Sequence, residues 1–252
     1  MRRRTYLKML GMTAGALITA PGKIFAAGRH DFVPAQLLPI GEAQAPYPSA
    51  LRSLMIQVIK RTSIDADPDR ADVKLDSPDF FRYPFVYLSG REEYQDFTPE
   101  EIARLRTLLD AGGTLLADDA SGIANSGFDT WFRRQMEKAY PKQKLDRLPE
   151  DHTLFRAFYF LDRIGGRVLI KDAVEGVTVG DRSPVIYCSN DLGGAWATDL
   201  FGQPLMQCSP GGELQRESAW RMGINVIMYT FCVNYKKERV HVEAIMQRRK
   251  LK

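Results

Sequence analysis

The sequence predicts an α/β fold with a mostly parallel central sheet. The main observation is a strand, helix and strand unit from Phe85 to Ala117, in which two apolar runs, "FVYLSG" and "GTLLA", flank an amphipathic helix. A connection of this kind joins parallel strands through a right-handed crossover. Short apolar runs alternate with helical patterns elsewhere, and 252 residues with 44% hydrophobic composition suffice for one sizeable core. We therefore expect a single α/β domain.

The elements before this unit are a short strand and a helix. Phe32 to Leu38 is predicted as the first strand, and the Pro- and Gly-rich connection "PIGEAQAPYP" follows it. A helix is predicted from about Ser49, whose hydroxyl suits an N-cap. The buried face of this helix has the i, i+3, i+4, i+7 spacing and consists of Leu51, Leu54, Met55 and Val58.

The helix inside the unit has boundary signals at both ends. Thr98 can cap it, Pro99 occupies its first position, and the pair Gly112-Gly113 ends it. Because the flanking strands are parallel, the pairs Ser89-Gly90 and Asp118-Asp119 are expected at the same edge of the sheet, its carboxyl edge. Ligands of open α/β sheets bind at that edge. This edge is therefore the predicted location of a functional site.

The C-terminal half continues the alternation of helices and strands. An amphipathic pattern predicts one helix that stops at Pro141, and two apolar runs turned at Gly180-Asp181 predict a pair of strands. The predicted elements are a helix over Phe128–Tyr140, strands over Val177–Val179 and Val185–Cys188, a loop over Ser189–Trp196, a mostly apolar helix over Glu217–Cys232, and a helical, basic tail beyond Lys236. The tail is either solvated or in contact with a membrane surface.

The first 26 residues predict an export signal. They combine a basic cluster, a modest apolar segment and small residues near Ala26, which is the layout of a cleaved signal peptide. Arg3 and Arg4, followed by Thr-Tyr-Leu-Lys, resemble the twin-arginine signal. The apolar segment is shorter than the roughly 20 residues that span a bilayer. Cleavage is expected after Ala26, although a retained anchor remains an alternative.

This signal predicts the organisation and the location of the protein. The expected division is a signal peptide over 1–26, one α/β domain over 27–235 and a basic C-terminal tail over 236–252. The expected partner in export is the twin-arginine translocation machinery, and the mature chain is expected to be periplasmic or otherwise extracytoplasmic, with no transmembrane helix. Removing the five basic residues of the signal leaves 30 Lys and Arg against 31 Asp and Glu. The near-neutral mature chain therefore gives no support for a nucleic-acid partner.

The cysteines predict neither a disulfide framework nor a metal site. The chain has three, Cys188, Cys208 and Cys232, and two of them lie inside apolar runs. No CxxC or Cys/His spacing of a metal site is present. Twin-arginine substrates fold before export, which agrees with a fold that is not held by disulfides.

The pair Asp118-Asp119 supports three interpretations. Asp119 could act as a carboxylate nucleophile, although the sequence shows no partner that would tune its pKa. A cation could bind one of the two together with Asp191 of the neighbouring loop. Alternatively, one aspartate caps the turn into "ASG" while the other faces a polar cleft. Neighbouring residues of a strand point to opposite faces, so this geometry disfavours a site that uses both.

Two further segments contain polar candidates. His152 in "EDHTLF" is either a general base or a structural hydrogen-bonding residue. The segment "SNDLGGAW" offers Asn190 and Asp191 as polar groups and Trp196 as either a stacking platform or a core residue. Its glycines are weak evidence for phosphate binding, because the helix start of a P-loop is missing.

The order of these segments resembles a bacterial family, domain of unknown function 4159. The segments that carry the resemblance are "DSPDFFRYPFVYLSG", "GGTLLADDASG" with "FDTWFRRQMEKAYP", "LPEDHTLFRAFYFL", "SNDLGGAW" and "AWRMGINVIMY". The family is similar to class I glutamine amidotransferase-like and ThuA-like proteins, so the resemblance implies a flavodoxin-like, three-layer fold. In true amidotransferases the strand after this helix ends at a catalytic cysteine, and here the corresponding positions are Ala117 to Ala120.

The absent thiol leads to the predicted function. We expect a non-catalytic module that binds a protein partner or a small polar ligand, with no cofactor and no metal site. The alternative is a hydrolase or transferase in which Asp119 and His152 act as acid and base. The residues predicted to line the ligand cleft are Ser89, Gly90, Asp118, Asp119, Ser121, Asn190, Asp191 and Trp196.

Overall fold

The fold is a central sheet with helices on both faces, in a computed structural model that describes residues 32–39, 41 and 45–250, with side chains described as far as residue 231. Seven strands lie within these residues. They are β1 (Ala35–Leu37), β2 (Ala71–Val73), β3 (Phe85–Gly90), β4 (Thr114–Asp119), β5 (Leu145–Arg147), β6 (Glu175–Val179) and β7 (Arg182–Cys188).

The sheet is parallel over most of its width. Its strand order is β2-β1-β3-β4-β7-β6-β5, and the pairs from β2 to β7 are parallel, whereas β6 is antiparallel to both of its neighbours. If β7 is counted as the fifth parallel strand, the parallel part has the order 2-1-3-4-5, which is that of flavodoxin-like sheets. The prediction of an α/β fold with a mostly parallel sheet is confirmed, and the topology is compatible with a flavodoxin-like fold.

Helices cover the two faces of the sheet. They are α1 (Ala50–Arg61), α2 (Pro99–Asp110), α3 (Gly127–Ala139), α4 (Leu192–Trp196) and α5 (Gly212–Lys250), and short 3-10 helices lie at Pro78–Arg82 and Thr153–Arg156. One core cluster lies between the sheet and α1, α4 and α5, and a second lies between the sheet and α2 and α3. These sides are called the α5 face and the α2 face below. Successive strand residues alternate between them, as in Leu115 and Leu116.

The predicted unit around α2 is confirmed in detail. Thr98 and Glu101 form a capping box, in which the Glu101 N–H donates to the Thr98 hydroxyl at 3.2 Å and the Thr98 N–H donates to the Glu101 carboxylate at 2.9 Å. The two flanking strands pair in parallel from Phe85 with Thr114 to Gly90 with Asp119. Local capping signals in the sequence were sufficient to locate this helix.

Three other expectations need correction. Ser49 precedes α1, as predicted, but its hydroxyl makes no cap hydrogen bond, because its backbone is already helical. The segment predicted as a loop over Ser189–Trp196 contains α4. The last helix begins at Gly212 rather than Glu217 and continues through the predicted tail to Lys250. Within the described residues, none of the helices combines the length and the apolar character that a membrane crossing requires.

Candidate functional site

The carboxyl edge of the parallel strands brings together the polar residues that follow β3, β4 and β7. Ser89 pairs with Asp118 and Gly90 with Asp119, and Asp118 pairs on its other side with Cys188 at the end of β7. Because β7 ends at Cys188, the segment that contains Asp191 begins directly beside β4. The predicted convergence of Asp118 with the Asp191 segment is therefore present.

Asp118 is completely buried, and its carboxylate accepts hydrogen bonds from the start of α4. Its Oδ1 accepts from the N–H of Leu192 at 2.8 Å, and its Oδ2 accepts from the N–H of Gly193 at 2.7 Å. The hydroxyl of Tyr87 also donates to Oδ2, at 2.7 Å. The N–H groups in the first turn of a helix have no partner within the helix, so Asp118 satisfies donors that would otherwise be buried without one.

Asp191 is the N-cap of α4 and is also completely buried. Its backbone is left-handed, with φ of 56°, a conformation that Asp and Asn adopt more readily than most residues. Its Oδ1 accepts from the N–H of Gly194 at 2.8 Å, and its Oδ2 accepts from the hydroxyl of Tyr47 at 3.0 Å and from Nε of Arg167. Every carboxylate oxygen of Asp118 and Asp191 thus accepts at least one hydrogen bond from the chain itself.

Burial raises the pKa values of Asp118, Asp191 and Tyr87. Burial and the charge of Asp191 raise the pKa of Asp118 to about 7, against the hydrogen bonds from α4, which lower it. Burial also raises the pKa of Asp191, against the lowering effect of Arg167. For Tyr87, burial and the charge of Asp118 raise the hydroxyl pKa well above its ordinary value. The phenol of Tyr87 therefore remains a hydrogen-bond donor at neutral pH.

Asp119 points to the opposite face of the sheet from Asp118. Its Oδ1 accepts from the N–H of Ser121 at 2.9 Å, and its Oδ2 accepts from the hydroxyl of Ser126 at 2.6 Å. Ser126 is the N-cap of α3 and accepts from the N–H of Asp129 at 2.9 Å. Asp119 is buried and fixes the turn that leads into α3, so the two aspartates do not share one site.

Asn190 and Trp196 also make contacts within the fold. Oδ1 of Asn190 accepts from the N–H groups of Ile170 and Lys171 at 2.8 and 2.9 Å. Nε1 of the buried Trp196 donates to the carbonyl of Ala219 at 2.9 Å, and its ring stacks on Trp220. Asn190 therefore fixes the segment before β6, and Trp196 is a core residue that packs against α5.

The residues predicted to line a ligand cleft are mostly inaccessible to solvent. Among the eight, Ser121 is partly exposed, and the other seven, Ser89 and Gly90 included, are buried. The physical reason is that the carboxylates and the Asn190 amide bind the chain's own backbone donors. Arg167 closes this edge, since its guanidinium lies against Gly122, where a Cβ atom would collide with it. The edge is thus occupied by side chains of the protein.

His152 lies at the other end of β7. Its Nε2 is 3.1 Å from the hydroxyl of Ser183, and its Nδ1 accepts from the N–H of Leu154 at 3.1 Å. Ser183 precedes Cys188 by five residues, which corresponds to about 16 Å along a strand. Burial lowers the pKa of His152. The structure therefore does not bring His152 together with the aspartates of the carboxyl edge, because it caps a 3-10 helix near the amino end of β7.

The sequence-based prediction of this site did not include Tyr87, Tyr47 and Arg167. Tyr87 was accessible to prediction, because it lies two residues before Ser89 on β3 and therefore shares a face with Asp118. Tyr47 and Arg167 reach Asp191 from positions 144 and 24 residues away in the chain. No local pattern marks such contacts. They arise from tertiary folding alone.

The other predicted groups are the metal ligands, the cysteines and the export signal. Within the part of the chain whose side chains are described, no group of three or more His, Cys, Asp and Glu residues could hold a metal ion. Cys188 and Cys208 are buried free thiols, and burial raises the pKa of both. Arg3, Arg4 and the rest of the predicted signal lie outside the described residues, as does the side chain of Cys232.

Comparison with known proteins identifies a family. A family model described as a domain of unknown function (DUF4159) matches residues 35–231, which include all five helices in whole or in part and every strand of the sheet. A search of curated proteins finds no match.

Proposed function

The chain belongs to the family described as a domain of unknown function (DUF4159), and we propose that it serves as an exported, non-catalytic binding module. The proposal rests on the carboxyl edge of the sheet, where the protein's own side chains and backbone N–H groups occupy the space that a ligand would need. Asp118 and Asp191, which stand where related α/β proteins bind ligands, are fully buried and hydrogen-bonded to the chain itself. A carboxylate held in this way contributes to the fold and has no access to a substrate.

A relationship to class I glutamine amidotransferase-like proteins is part of the same proposal. The parallel strand order and the position of Asp118-Asp119 at the end of β4 support it. In such a relationship β4 is the strand that would lead to a catalytic thiol. Here it leads to the buried Asp118, which accepts hydrogen bonds from the first turn of α4. The alternative is a hydrolase that uses Asp119 and His152. It is disfavoured because His152 lies against Ser183 near the amino end of β7, away from Asp119 at the carboxyl edge. A general base must come within hydrogen-bond reach of its substrate.

The surface best suited to a partner is an apolar turn that follows α4. Leu200 and Phe201 are almost fully exposed at its tip, and Leu205, Met206 and Leu214 are exposed nearby in the chain. The turn is fixed by Asp199, whose Oδ1 accepts from the N–H groups of Phe201 and Gln203 at 2.8 Å. Exposed clusters of large apolar side chains mark interaction sites, and a rigid turn loses little conformational entropy on binding.

The charge of this turn favours a protein partner. The stretch from Ala197 to Gln215 contains two acidic residues, Asp199 and Glu213, and no Lys or Arg. Segments that bind anionic membrane surfaces are typically rich in Lys and Arg. The proposed partner is therefore a protein with an apolar groove.

Photocrosslinking tests this proposal. With benzoylphenylalanine in place of Phe201 in the full-length chain, produced in its native host, we expect a protein adduct of discrete mass. The adduct should disappear when Leu200→Ser removes half of the apolar tip and weaken when Asp199→Ala loosens the turn. The same photoreactive residue at Ile123, another exposed apolar position, is the control and should give no such adduct. Adducts to lipid, or no adduct at position 201, would overturn the protein-partner proposal.

The export component has a separate test. Changing Arg3 and Arg4 together to Lys keeps the charge of the signal and removes the twin-arginine pattern. We expect the variant to accumulate as the precursor in the cytoplasm, measured by cell fractionation, whereas the control Arg2→Lys should be exported normally. Normal export of the double variant would rule out the twin-arginine assignment.

A further inference from the structure

A second site of the molecule lies away from the carboxyl edge. A cavity of about 730 Å³ opens beside β5 and is lined by residues from the 3-10 helix Thr153–Arg156, from the segment 161–164 and from the segment 169–174. Its volume is within the range of about 300–1,000 Å³ that is typical of small-molecule sites. We propose that this cavity binds a small amphipathic organic anion, with an apolar body and a carboxylate or phosphate head group. The proposal is independent of the role of the apolar turn.

The inner part of the cavity is apolar. Leu148, Phe155 and Val174 line it, are buried, and belong to the core cluster of the α5 face. Leu161 and Ile164 are partly buried and pack against the same cluster. An aliphatic or aromatic body placed here would exchange water for contacts with five apolar side chains.

The charged residues of the rim are only partly paired with one another. Arg147 lies 3.7 Å from the carboxylates of both Glu150 and Asp172, so these two acids share one guanidinium. Lys171 pairs with Glu175 at 2.8 Å. Most of the acidic charge around the cavity therefore already has a cationic partner.

Two arginines of the rim have no such partner. Arg156 and Arg163 are exposed and line the cavity, and among the residues with described side chains neither forms an ion pair or a side-chain hydrogen bond. Asp162 is the one lining carboxylate that likewise has no ion pair within that part of the chain. The lining as a whole carries four basic side chains against three carboxylates, and the two cations without an ion pair are both guanidinium groups. Guanidinium binds carboxylate and phosphate through paired hydrogen bonds, which explains the choice of an anionic head group.

The wall of the cavity is held in place by the residues of the carboxyl edge. The N–H of Arg167 donates to the carbonyl of Asp191 at 2.8 Å, and the side chain of Asn190 accepts from Ile170 and Lys171. The N–H of Leu148 also donates to the carbonyl of Val174, the last residue of the lining segment 169–174, at 2.9 Å. The cavity is therefore preformed, which lowers the entropic cost of binding a ligand.

Calorimetric titration of the purified full-length chain tests the proposal. The probes are decanoate and decyl phosphate, used below their micelle concentrations, with decyltrimethylammonium as the tail-matched cation and inorganic phosphate as the head group alone. We expect saturable, one-site binding of at least one of the two amphipathic anions, and affinity at least about tenfold lower for the cation and for phosphate, because charge and apolar burial both contribute.

Two variants locate the binding. The double variant Arg156→Gln and Arg163→Gln should weaken binding of the anion by about tenfold or more. Ala173→Phe fills the cavity without changing its charge and should do the same, with the fold verified by circular dichroism. Arg82→Gln, an exposed arginine elsewhere, is the control and should bind like the wild type. Equal affinity for the cation, unchanged binding by the double arginine variant, or no saturable binding of either anion would overturn the proposal.

Discussion

Replacing Arg167 by Met is expected to lower the free energy of unfolding by about 3–5 kcal/mol, because the change leaves the carboxylate of Asp191 buried without its cation. Asp191 is fully buried, and the side chain of Arg167 is 20% exposed, so solvent screens this pair only weakly. The measurement is urea unfolding followed by tryptophan fluorescence, to which the buried Trp196 at the end of α4 contributes.

A matched control separates this effect from the general loss of an arginine. Arg82 and Asp79 form an ion pair at 3.0 Å, but their side chains are 48% and 60% exposed. Arg82→Met is therefore expected to cost far less than Arg167→Met, because solvent screens an exposed ion pair. An Arg167→Met variant within about 1 kcal/mol of the wild type would contradict the structural role assigned to the pair.

A second substitution tests whether the buried charge is the cause. Asn tolerates the left-handed backbone of position 191, and its side-chain oxygen can still accept from the N–H of Gly194. Adding Asp191→Asn to Arg167→Met removes the unpaired charge, so the double variant is expected to be more stable than Arg167→Met alone. The single variant Asp191→Asn completes the comparison. If the loss of stability in the double variant equals the sum of the losses in the two single variants, charge pairing is not what stabilises this edge.

The parts of the fold with local signals were predictable from the sequence. The capping residue Thr98, Pro99 and the terminal glycine pair locate α2, and the two apolar runs around it locate β3 and β4. From these elements the parallel pairing and the position of Asp118 at the carboxyl edge follow. By contrast, β2 and β5 are three-residue strands, too short for a pattern with a period of two to be recognised.

The sequence predicted the position of the site better than its burial. Whether Asp118 faces solvent or a helix depends on α4, a five-residue helix rich in glycine that resembles a loop in sequence. The burial of Asp191 depends on Tyr47 and Arg167, which only the tertiary fold brings near it. A polar pair at a sheet edge therefore indicates a cleft when read locally. Here the N–H groups of α4 bind Asp118, and the turn into α3 binds Asp119.

Asp118→Asn is the second substitution with a large expected effect. Oδ1 and Oδ2 of Asp118 each accept a backbone N–H from α4, so whichever way an amide is turned, its NH₂ group faces a donor. An N–H group left unsatisfied in this buried site costs about 1–3 kcal/mol. Asp79→Asn, at an exposed position, is the control and should change the free energy of unfolding by less than about 0.5 kcal/mol.

The pH dependence of this loss reports the protonation of Asp118. Burial and Asp191 raise its pKa in the folded protein to about 7, whereas the unfolded chain has an ordinary value near 3.8. The folded state therefore retains a proton that the unfolded state has released. The resulting stabilisation is complete below about pH 4 and is lost as the pH rises to about 7, with a slope of at most about 1.4 kcal/mol per pH unit.

The amide that replaces the carboxyl group in Asp118→Asn does not titrate, so the stability difference between the wild type and this variant should be larger at pH 5 than at pH 8. The protonated carboxyl tolerates this site better than an amide, since its hydroxyl oxygen can still accept a hydrogen bond from an N–H group, whereas an amide nitrogen cannot. Urea unfolding at pH 5, 6, 7 and 8 measures the difference, and titrations of groups that do not interact with Asp118 cancel. A difference that instead grows with pH would mean that the N–H groups of α4 and the hydroxyl of Tyr87 hold Asp118 as a carboxylate, and that hydrogen bonding outweighs burial and the charge of Asp191 at this edge.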